Sequence, residues 1–218
     1  NKCGALIKVK NRTITVRGVE ELKLQDYKVI PDRIEAGSYI LATMATKGRL
    51  KLNNFNPKDL ALPLKLYKGM GLKIKKLSNS SYEIYCKKLK PIKKISTKEF
   101  PGYPTDLQAQ LIATQLKSGL KSKVVENIFE NRFIHIPELR RFGANLSIKG
   151  NTVTIDKTSD LLGAEVMATD IRASFSLIIA AMMSKGKTVI NRIYHLDRGY
   201  EDFDLKLKKC GVNISRKK

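Results

Sequence analysis

Length, composition and charge restrict the classes of protein to which this chain can belong. It has 218 residues and a formal net charge of +22, and 42% of its residues are hydrophobic. Such a chain can bury a core, which excludes a disordered tail and a low-complexity basic arm. No apolar run reaches the roughly 18 residues that a membrane-spanning helix needs. Three scattered cysteines suit neither a disulfide framework nor a zinc site, so we expect a soluble protein of a reducing compartment, the cytoplasm, with no membrane partner.

The excess of positive charge suggests a polyanionic partner, because basic surfaces gain affinity for nucleic acids by displacing counterions. However, 31 of the 42 basic residues are Lys and 11 are Arg, and Arg is the residue preferred for phosphate and base contacts. The densest basic run, KKLKPIKKISTK at 87–98, contains a Pro and lies between two patterned segments, which is typical of a solvated connector. A non-catalytic or RNA-binding module that uses the Lys-rich surface is therefore the alternative hypothesis, and specific nucleic-acid binding is not the favoured one.

Several markers recur at a fixed spacing, which indicates an internal repeat. Each copy begins with an Asp that opens a long apolar stretch. A small residue follows 16 positions after each Asp, an Asn follows five positions later, and a Gly stands where a second helical stretch stops. The markers are Asp32, Asp106 and Asp170; Gly48, Ser122 and Gly186; Asn53, Asn127 and Asn191; and Gly71, Gly143 and Gly211.

These markers predict the same elements in each copy: a helix, a strand, a second helix, and one or two further strands. The Asp is predicted to cap the first helix, where its carboxylate meets free backbone N–H groups. The later Gly is predicted to end the second helix in a left-handed conformation. The first helices, notably 171–184, are apolar almost all round, which is typical of helices buried on every side. We therefore predict an α/β (α+β) fold of repeated βαβαββ-type units with buried helices and outer sheets.

The first residues align with a later repeat: the segment 3–16 superimposes without a gap on 142–155, with Gly4 matching Gly143. This alignment predicts that the chain opens in the middle of another repeat. We expect residues 1–28 to be the tail of an N-terminal domain that is mostly missing from this chain, and residues 29–218 to be a C-terminal domain. Its three repeats are expected at about 29–100, 101–165 and 166–218. The alternative is that residues 1–28 form a self-contained hairpin arm.

Six segments between about 12 and 204 resemble, in the same order, the motifs of the UDP-N-acetylglucosamine 1-carboxyvinyltransferase (UDP-GlcNAc enolpyruvyl transferase) family. A relative such as 5-enolpyruvylshikimate-3-phosphate synthase shares the family's fold but not this series of motifs. The segments are RTITVRGVEEL (12–22), VIPDRIEAGSYILA (29–42), YPTDLQAQ (103–110), FENRFIHIPEL (129–139), MATDIRAS (167–174) and IYHLDRGYE (193–201).

The resemblance implies the enolpyruvyl transferase fold, an inside-out α/β barrel with helices inside and sheets outside. It implies transfer of enolpyruvyl from phosphoenolpyruvate to the 3′-hydroxyl of UDP-N-acetylglucosamine, a step of peptidoglycan synthesis in the cell wall that uses no metal and no redox cofactor. In the family, the essential Cys and a Lys that contacts phosphoenolpyruvate lie on the first domain. We therefore expect the 218-residue chain by itself to be inactive, and to bind UDP-N-acetylglucosamine only weakly.

By the same resemblance, Asp106 in YPTDLQAQ corresponds to the proposed base for the 3′-hydroxyl. Arg132 in FENRF and Arg198 in YHLDRGYE correspond to arginines that bind phosphoenolpyruvate, and a planar guanidinium suits carboxylate and phosphate. Taken without the motif, Asp106 could be a plain helix cap like Asp32, and each Arg could be part of a surface ion pair.

Asp170 and Arg172 in ATDIRAS correspond to a second active-site pair, which lines the cleft between the two domains; we count Asp170 with Asp106 as catalytic and Arg172 as substrate-binding. The pair could equally be a helix cap with a local ion pair. Ile128 corresponds to the stretch that lines the nucleotide-sugar site, although an apolar residue at a strand end is more often part of the core.

Overall fold

The computed structural model describes residues 1–217, and the chain divides into two compact units, Asn1–Pro31 and the residues from Asp32 onward. The first unit contains an antiparallel hairpin whose register runs from Leu6 opposite Arg17 to Lys10 opposite Thr13. The turn passes through Asn11, which has a positive φ of 55°. A hairpin at this place is compatible with both interpretations of residues 1–28. Its strands are β1 (Leu6–Lys10) and β2 (Thr13–Arg17).

The first repeat has the predicted order of elements. Asp32 caps its first helix, because its carboxylate accepts hydrogen bonds from the backbone N–H groups of Ile34 (2.7 Å) and Glu35 (3.3 Å). Its three strands form one antiparallel sheet in the order β3-β5-β4. The elements are α1 (Arg33–Ala45), β3 (Arg49–Leu52), α2 (Ala61–Gly69), β4 (Lys73–Lys76) and β5 (Tyr82–Tyr85).

The second repeat repeats this order, and its sheet is extended by a strand that the sequence pattern did not predict and that lies before the expected start of this repeat at about residue 101. That strand, β6, lies inside the Lys-rich run 87–98 and pairs in parallel with β7. Leu89 and Ile95 of the run are buried, so the interpretation of 87–98 as a solvated connector was wrong: part of it belongs to a four-stranded sheet in the order β6-β7-β9-β8. The elements are β6 (Lys94–Ser96), α3 (Gln108–Gln115), β7 (Ser122–Val125), α4 (Ile136–Arg141), β8 (Leu146–Lys149) and β9 (Thr152–Ile155).

The third repeat contains a parallel pair of strands and three helices. Asp170 caps its first helix, accepting from the backbone N–H groups of Arg172 (2.7 Å) and Ala173 (2.8 Å). Within the described part of the chain, no strand follows the last helix. The elements are β10 (Glu165–Met167), α5 (Ile171–Met183), β11 (Val189–Asn191), α6 (Tyr194–Asp197) and α7 (Phe203–Lys209).

The predicted glycine stops follow the last helix of each repeat, α2, α4 and α7. Gly71, Gly143 and Gly211 have φ values of +110°, +85° and +89°, which L side chains rarely adopt. At Gly71 a Cβ atom would also lie 2.2 Å from the backbone oxygen of Lys88. Gly71 therefore both ends α2 and allows the segment after β5 to pass close to that end.

The first helices of the three repeats form the core of this unit, as predicted. Helices α1, α3 and α5 pack against one another, and every residue of α3 is buried. A buried polar cluster joins the repeats, because the Tyr200 hydroxyl lies 2.8 Å from Ser38 Oγ and Gln110 Nε2 donates to Ser38 Oγ at 3.1 Å. The α/β class with inner helices is confirmed, but residues 1–217 form four open sheets and no closed barrel. No helix among them is long and apolar enough to cross a membrane.

Candidate functional site

Asp106 does not cap a helix, contrary to the prediction from the repeat. A 3₁₀ turn over Thr105–Leu107 precedes α3, so the chain is already helical at Asp106, and the cap position of that turn is Pro104. The residue at the cap of α3 is Leu107, and no side chain caps this helix. The Asp106 carboxylate is therefore free to point away from the helix end, and it meets two arginines.

Arg132 is the first of these arginines, and three neighbours fix its guanidinium group. Its Nη2 donates to Asp106 Oδ1 at 2.7 Å, and its Nη1 donates to Thr105 Oγ1 at 2.9 Å. Its Cζ atom lies 4.9 Å from the centre of the Phe129 ring, in cation–π contact. Only 22% of the Arg132 side chain is exposed. The sequence left open that Arg132 is part of a surface ion pair. In the structure its ion pair with Asp106 is largely buried and has a fixed orientation.

Arg172 approaches the same carboxylate from the first turn of α5. Its Nη2 lies 3.8 Å from Asp106 Oδ2, and its guanidinium lies 6.0 Å from the centre of the Tyr200 ring. Its Nη1 is buried and has no hydrogen-bond partner within residues 1–217. The local ion pair with Asp170 is not formed, since the guanidinium turns to Asp106. A buried, unpaired guanidinium nitrogen is a donor that a bound anion can satisfy.

The other three predicted residues lie outside this cluster of contacts. Asp170 uses its Oδ1 to cap α5, as the alternative interpretation of that motif expected. Ile128 is half-buried, and its backbone N–H donates to Glu126 Oε1 at 2.8 Å. Arg198 is exposed at the end of α6 and lines a separate cleft of about 860 Å³ together with Tyr200. The structure thus brings together Asp106, Arg132 and Arg172.

The charge of this cluster favours anions. One carboxylate faces two guanidinium groups, so the cluster carries a net positive charge. Guanidinium groups present planar pairs of N–H donors that match carboxylate and phosphate oxygens. The Asp106 carboxylate is 39% exposed, so a ligand can reach it. Residues 1–217 contain no group of three or more His, Cys, Asp or Glu side chains placed to hold a metal ion. The two guanidinium groups can therefore bind a small anion, and the Asp106 carboxylate can accept a proton from a group next to that anion.

Four residues that sequence reasoning did not select take part in this site: Thr105, Glu126, Phe129 and Tyr200. Thr105 and Phe129 contact Arg132, and Tyr200 lies beside Arg172. Glu126 is 3% exposed and accepts hydrogen bonds from Thr105 and from the backbone of Ile128. One signal was available: Glu126 is an acidic residue directly after the apolar strand pattern KVV, where a buried charge needs several partners.

His135 lies in the FENRF motif segment and is completely buried. Burial lowers the pKa of its imidazole from 6.5 to about 4, since the charged form loses its hydration; Asp170 opposes this shift, and Arg132 adds to it. Its Nε2 atom has no hydrogen-bond partner in the described part of the chain. The folded protein therefore keeps His135 neutral where the unfolded chain would already bind a proton.

We expect this buried histidine to make the protein sensitive to mild acid. The unfolded chain binds the proton below pH 6.5 and the folded protein only near pH 4, so stability falls as the pH drops between these values. From about pH 7.5 to about pH 5, the free energy of unfolding should fall by about 2 kcal/mol through this group. Denaturant unfolding at both pH values should show that the free energy of unfolding of His135→Leu falls by about 2 kcal/mol less than that of the parent protein. A His195→Leu control should retain the full decrease, and an equal pH dependence in all three proteins would contradict the assignment.

Comparisons with known proteins agree with the resemblance seen in the motifs. A curated UDP-N-acetylglucosamine 1-carboxyvinyltransferase from Pelagibacter ubique is 50% identical over 205 residues, which cover 94% of this chain and 49% of that protein. The enzyme of the same name from Bartonella henselae is 44% identical over 220 residues, 99% of this chain and 51% of that protein. The chain thus spans about half the length of the curated relatives it matches.

Solved structures show the same fold. The enolpyruvyl transferase NikO from Streptomyces tendae superimposes with a TM-score of 0.85 at 26% identity, covering 98% of this chain and 51% of that one. EPSP synthase from Acinetobacter baumannii superimposes with a TM-score of 0.73 at 15% identity over 99% of this chain and 53% of that one, a likeness in fold alone. The model of the family described as EPSP synthase (3-phosphoshikimate 1-carboxyvinyltransferase) matches residues 1–207, and the chain belongs to this family.

Proposed function

We propose that this chain forms part of an enzyme that transfers enolpyruvyl from phosphoenolpyruvate to the 3′-hydroxyl of UDP-N-acetylglucosamine. The observation that carries the proposal is the Asp106 carboxylate held between the Arg132 and Arg172 guanidinium groups. Its support also includes curated relatives that bear the name of this activity at 44–50% identity. Peptidoglycan synthesis in the cytoplasm, with both substrates as small-molecule partners and without a cofactor, belongs to the same proposal.

The chemistry of the proposed reaction matches the groups of the cluster. The sugar hydroxyl must lose a proton, and its oxygen must bond to C2 of phosphoenolpyruvate while C3 gains a proton. Loss of phosphate from C2 together with a proton from C3 then forms the C2–C3 double bond of the enol ether product. Asp106 is the proposed acceptor of the hydroxyl proton. Arg132 and Arg172 are the proposed partners of the phosphate and carboxylate of phosphoenolpyruvate, whose charges need planar donors.

The resting contacts suggest how the base becomes available. Asp106 Oδ1 is occupied by a short hydrogen bond from Arg132 Nη2, at 2.7 Å. A phosphate that bonds to Arg132 competes for the same donors. Phosphoenolpyruvate would therefore release Asp106 Oδ1 from Arg132 and leave this oxygen available to the sugar hydroxyl.

The remaining predicted residues have secondary places in the proposal. Asp170 is proposed to be catalytic, and it also holds the start of α5 and thereby the position of Arg172. Ile128 is proposed to line the nucleotide-sugar site with its side chain, because its backbone N–H is already bonded to Glu126. Arg198 is proposed to reach phosphoenolpyruvate from the separate cleft. We further propose that residues 29–218 act as the C-terminal domain and residues 1–28 as the tail of the N-terminal one.

Phosphate release by the full-length protein that contains these residues tests the proposal. Release should require phosphoenolpyruvate and UDP-N-acetylglucosamine together. Release with shikimate 3-phosphate in place of the nucleotide sugar would favour the EPSP synthase reaction, and no release with either acceptor would overturn both. The polypeptide of residues 1–218 should release no phosphate by itself. Turnover at ordinary enzymatic rates would contradict the proposal that residues of a first domain complete the active site. Saturable RNA binding with a steep salt dependence would favour the alternative hypothesis instead.

A further inference from the structure

A buried carboxylate stands directly behind the arginine–aspartate cluster without touching it. Glu126 follows β7 and is 3% exposed. Its Oε1 accepts hydrogen bonds from Thr97 Oγ1 (2.9 Å) and from the backbone N–H groups of Ile128 (2.8 Å) and Phe129 (3.2 Å). Its Oε2 accepts from Thr105 Oγ1 at 2.8 Å. A carboxylate can be buried at tolerable cost when several donors surround it in this way.

The bond from Thr105 to Glu126 fixes the direction of the Thr105 hydroxyl group. A hydroxyl has one hydrogen, and Thr105 gives it to Glu126. The lone pairs of Thr105 Oγ1 then remain as acceptors, and one of them receives Arg132 Nη1 at 2.9 Å. Because the hydroxyl donates to a charged group, it also becomes a stronger acceptor for the guanidinium.

Glu126 also fixes the aromatic face that Arg132 contacts. Its Oε1 holds the backbone N–H of Phe129, and the ring of Phe129 lies 4.9 Å from the Arg132 guanidinium. Two of the three neighbours that fix Arg132, the Thr105 hydroxyl and the Phe129 ring, are therefore held by one carboxylate.

We propose that Glu126 is a positioning residue that orients Arg132 for its anionic substrate through Thr105 and Phe129. The inference rests on the proposed function, since the substrate of Arg132 is taken to be phosphoenolpyruvate. It adds a role for a residue that touches neither substrate. It also explains why an acidic side chain is buried at the end of a strand in a strongly basic protein.

The variant Glu126→Gln tests the proposal with little change in shape. The amide oxygen can replace Oε1 and keep the bonds to Ile128 and Phe129, which leaves the NH₂ group facing Thr105. That group donates, so the Thr105 hydroxyl must accept it, and its hydrogen loses the carboxylate that fixed its direction. The Thr105 oxygen that accepts Arg132 Nη1 is then no longer held in one orientation or strengthened by a charged partner. In the full-length protein we expect KM for phosphoenolpyruvate to rise by about tenfold, with a smaller change in kcat and in KM for UDP-N-acetylglucosamine.

A matched control separates positioning from stability. Gln115 is also buried, and its Oε1 accepts from the backbone N–H of Ile92 (2.9 Å) and from Ser122 Oγ (3.1 Å). Gln115→Met should lower the temperature of unfolding but leave KM for phosphoenolpyruvate within about twofold of the parent value. Equal KM values for Glu126→Gln and Gln115→Met would overturn the proposal.

Variants of Thr105 provide a second test that leaves the buried carboxylate in place. Thr105→Val should raise KM for phosphoenolpyruvate to about the same extent as Glu126→Gln does. Thr105→Ser keeps the hydroxyl group and should therefore keep the KM of the parent protein. In the double variant the two effects should not add, because both act through one bond to Arg132. Additive effects, or a Thr105→Val protein with unchanged KM, would overturn the proposal. If the parent protein releases no phosphate from phosphoenolpyruvate, the proposed function itself fails, which is a different outcome.

Discussion

Replacing Asp106 by Asn is expected to lower kcat for phosphate release by about 10³-fold, the range found when a general base is removed. The amide has almost the same shape but cannot accept the hydroxyl proton. Binding of phosphoenolpyruvate should not weaken, because the exchange removes a negative charge that competes with the substrate for Arg132 and Arg172. The measurement is steady-state kinetics of the full-length protein, together with calorimetric titration of phosphoenolpyruvate.

A second aspartate with two cationic neighbours provides the control. Asp160 lies 3.5 Å from Lys117 Nζ and 2.6 Å from Lys185 Nζ, but it is exposed. Asp160→Asn removes a carboxylate from a similar pair of cations and should leave kcat unchanged. A loss of kcat of the same size in both variants, or none in Asp106→Asn, would show that Asp106 is not the base.

The three marker aspartates illustrate how far the sequence predicts this structure. The cap roles of Asp32 and Asp170 were correctly predicted, because capping depends on contacts within three residues along the chain. The same reasoning was wrong for Asp106, where an additional 3₁₀ turn shifts the start of the helix. Local patterns thus predicted the elements of the first repeat and the caps of α1 and α5, but not the shift at α3 or the additional helix α6 of the third repeat.

The contacts of the site depend on residues that lie far apart in the chain. Arg172 could form its ion pair with Asp170 two positions away, and its choice of Asp106 follows from how α3 and α5 pack. The positions of Glu126 behind Thr105 and of Arg198 in another cleft follow from packing in the same way. Strand β6 escaped prediction because three residues in a Lys-rich run carry too little alternation to identify a strand.

Replacing Arg132 by Lys is expected to raise KM for phosphoenolpyruvate by about 100-fold, although the positive charge is kept. A single ammonium group cannot present planar N–H donors to Thr105 and Asp106 together, and it lacks the delocalised guanidinium that contacts the Phe129 ring. The freed Thr105 acceptor is only partly buried, so water can replace the lost donor, and the temperature of unfolding should change little. The effect should therefore appear in substrate binding and kcat/KM more than in stability.

Arg49→Lys is the matched control for this exchange. Arg49 also pairs with one carboxylate, Glu83 at 3.3 Å, and also lies over an aromatic ring, that of Tyr85 at 5.3 Å. It differs in position and burial, since 64% of its side chain is exposed on the outer sheet of the first repeat. Its replacement should leave both KM values unchanged, because exposed ion pairs contribute little. If Arg132→Lys binds phosphoenolpyruvate as tightly as Arg49→Lys does, Arg132 does not hold this substrate, and the arginine–aspartate cluster needs another explanation.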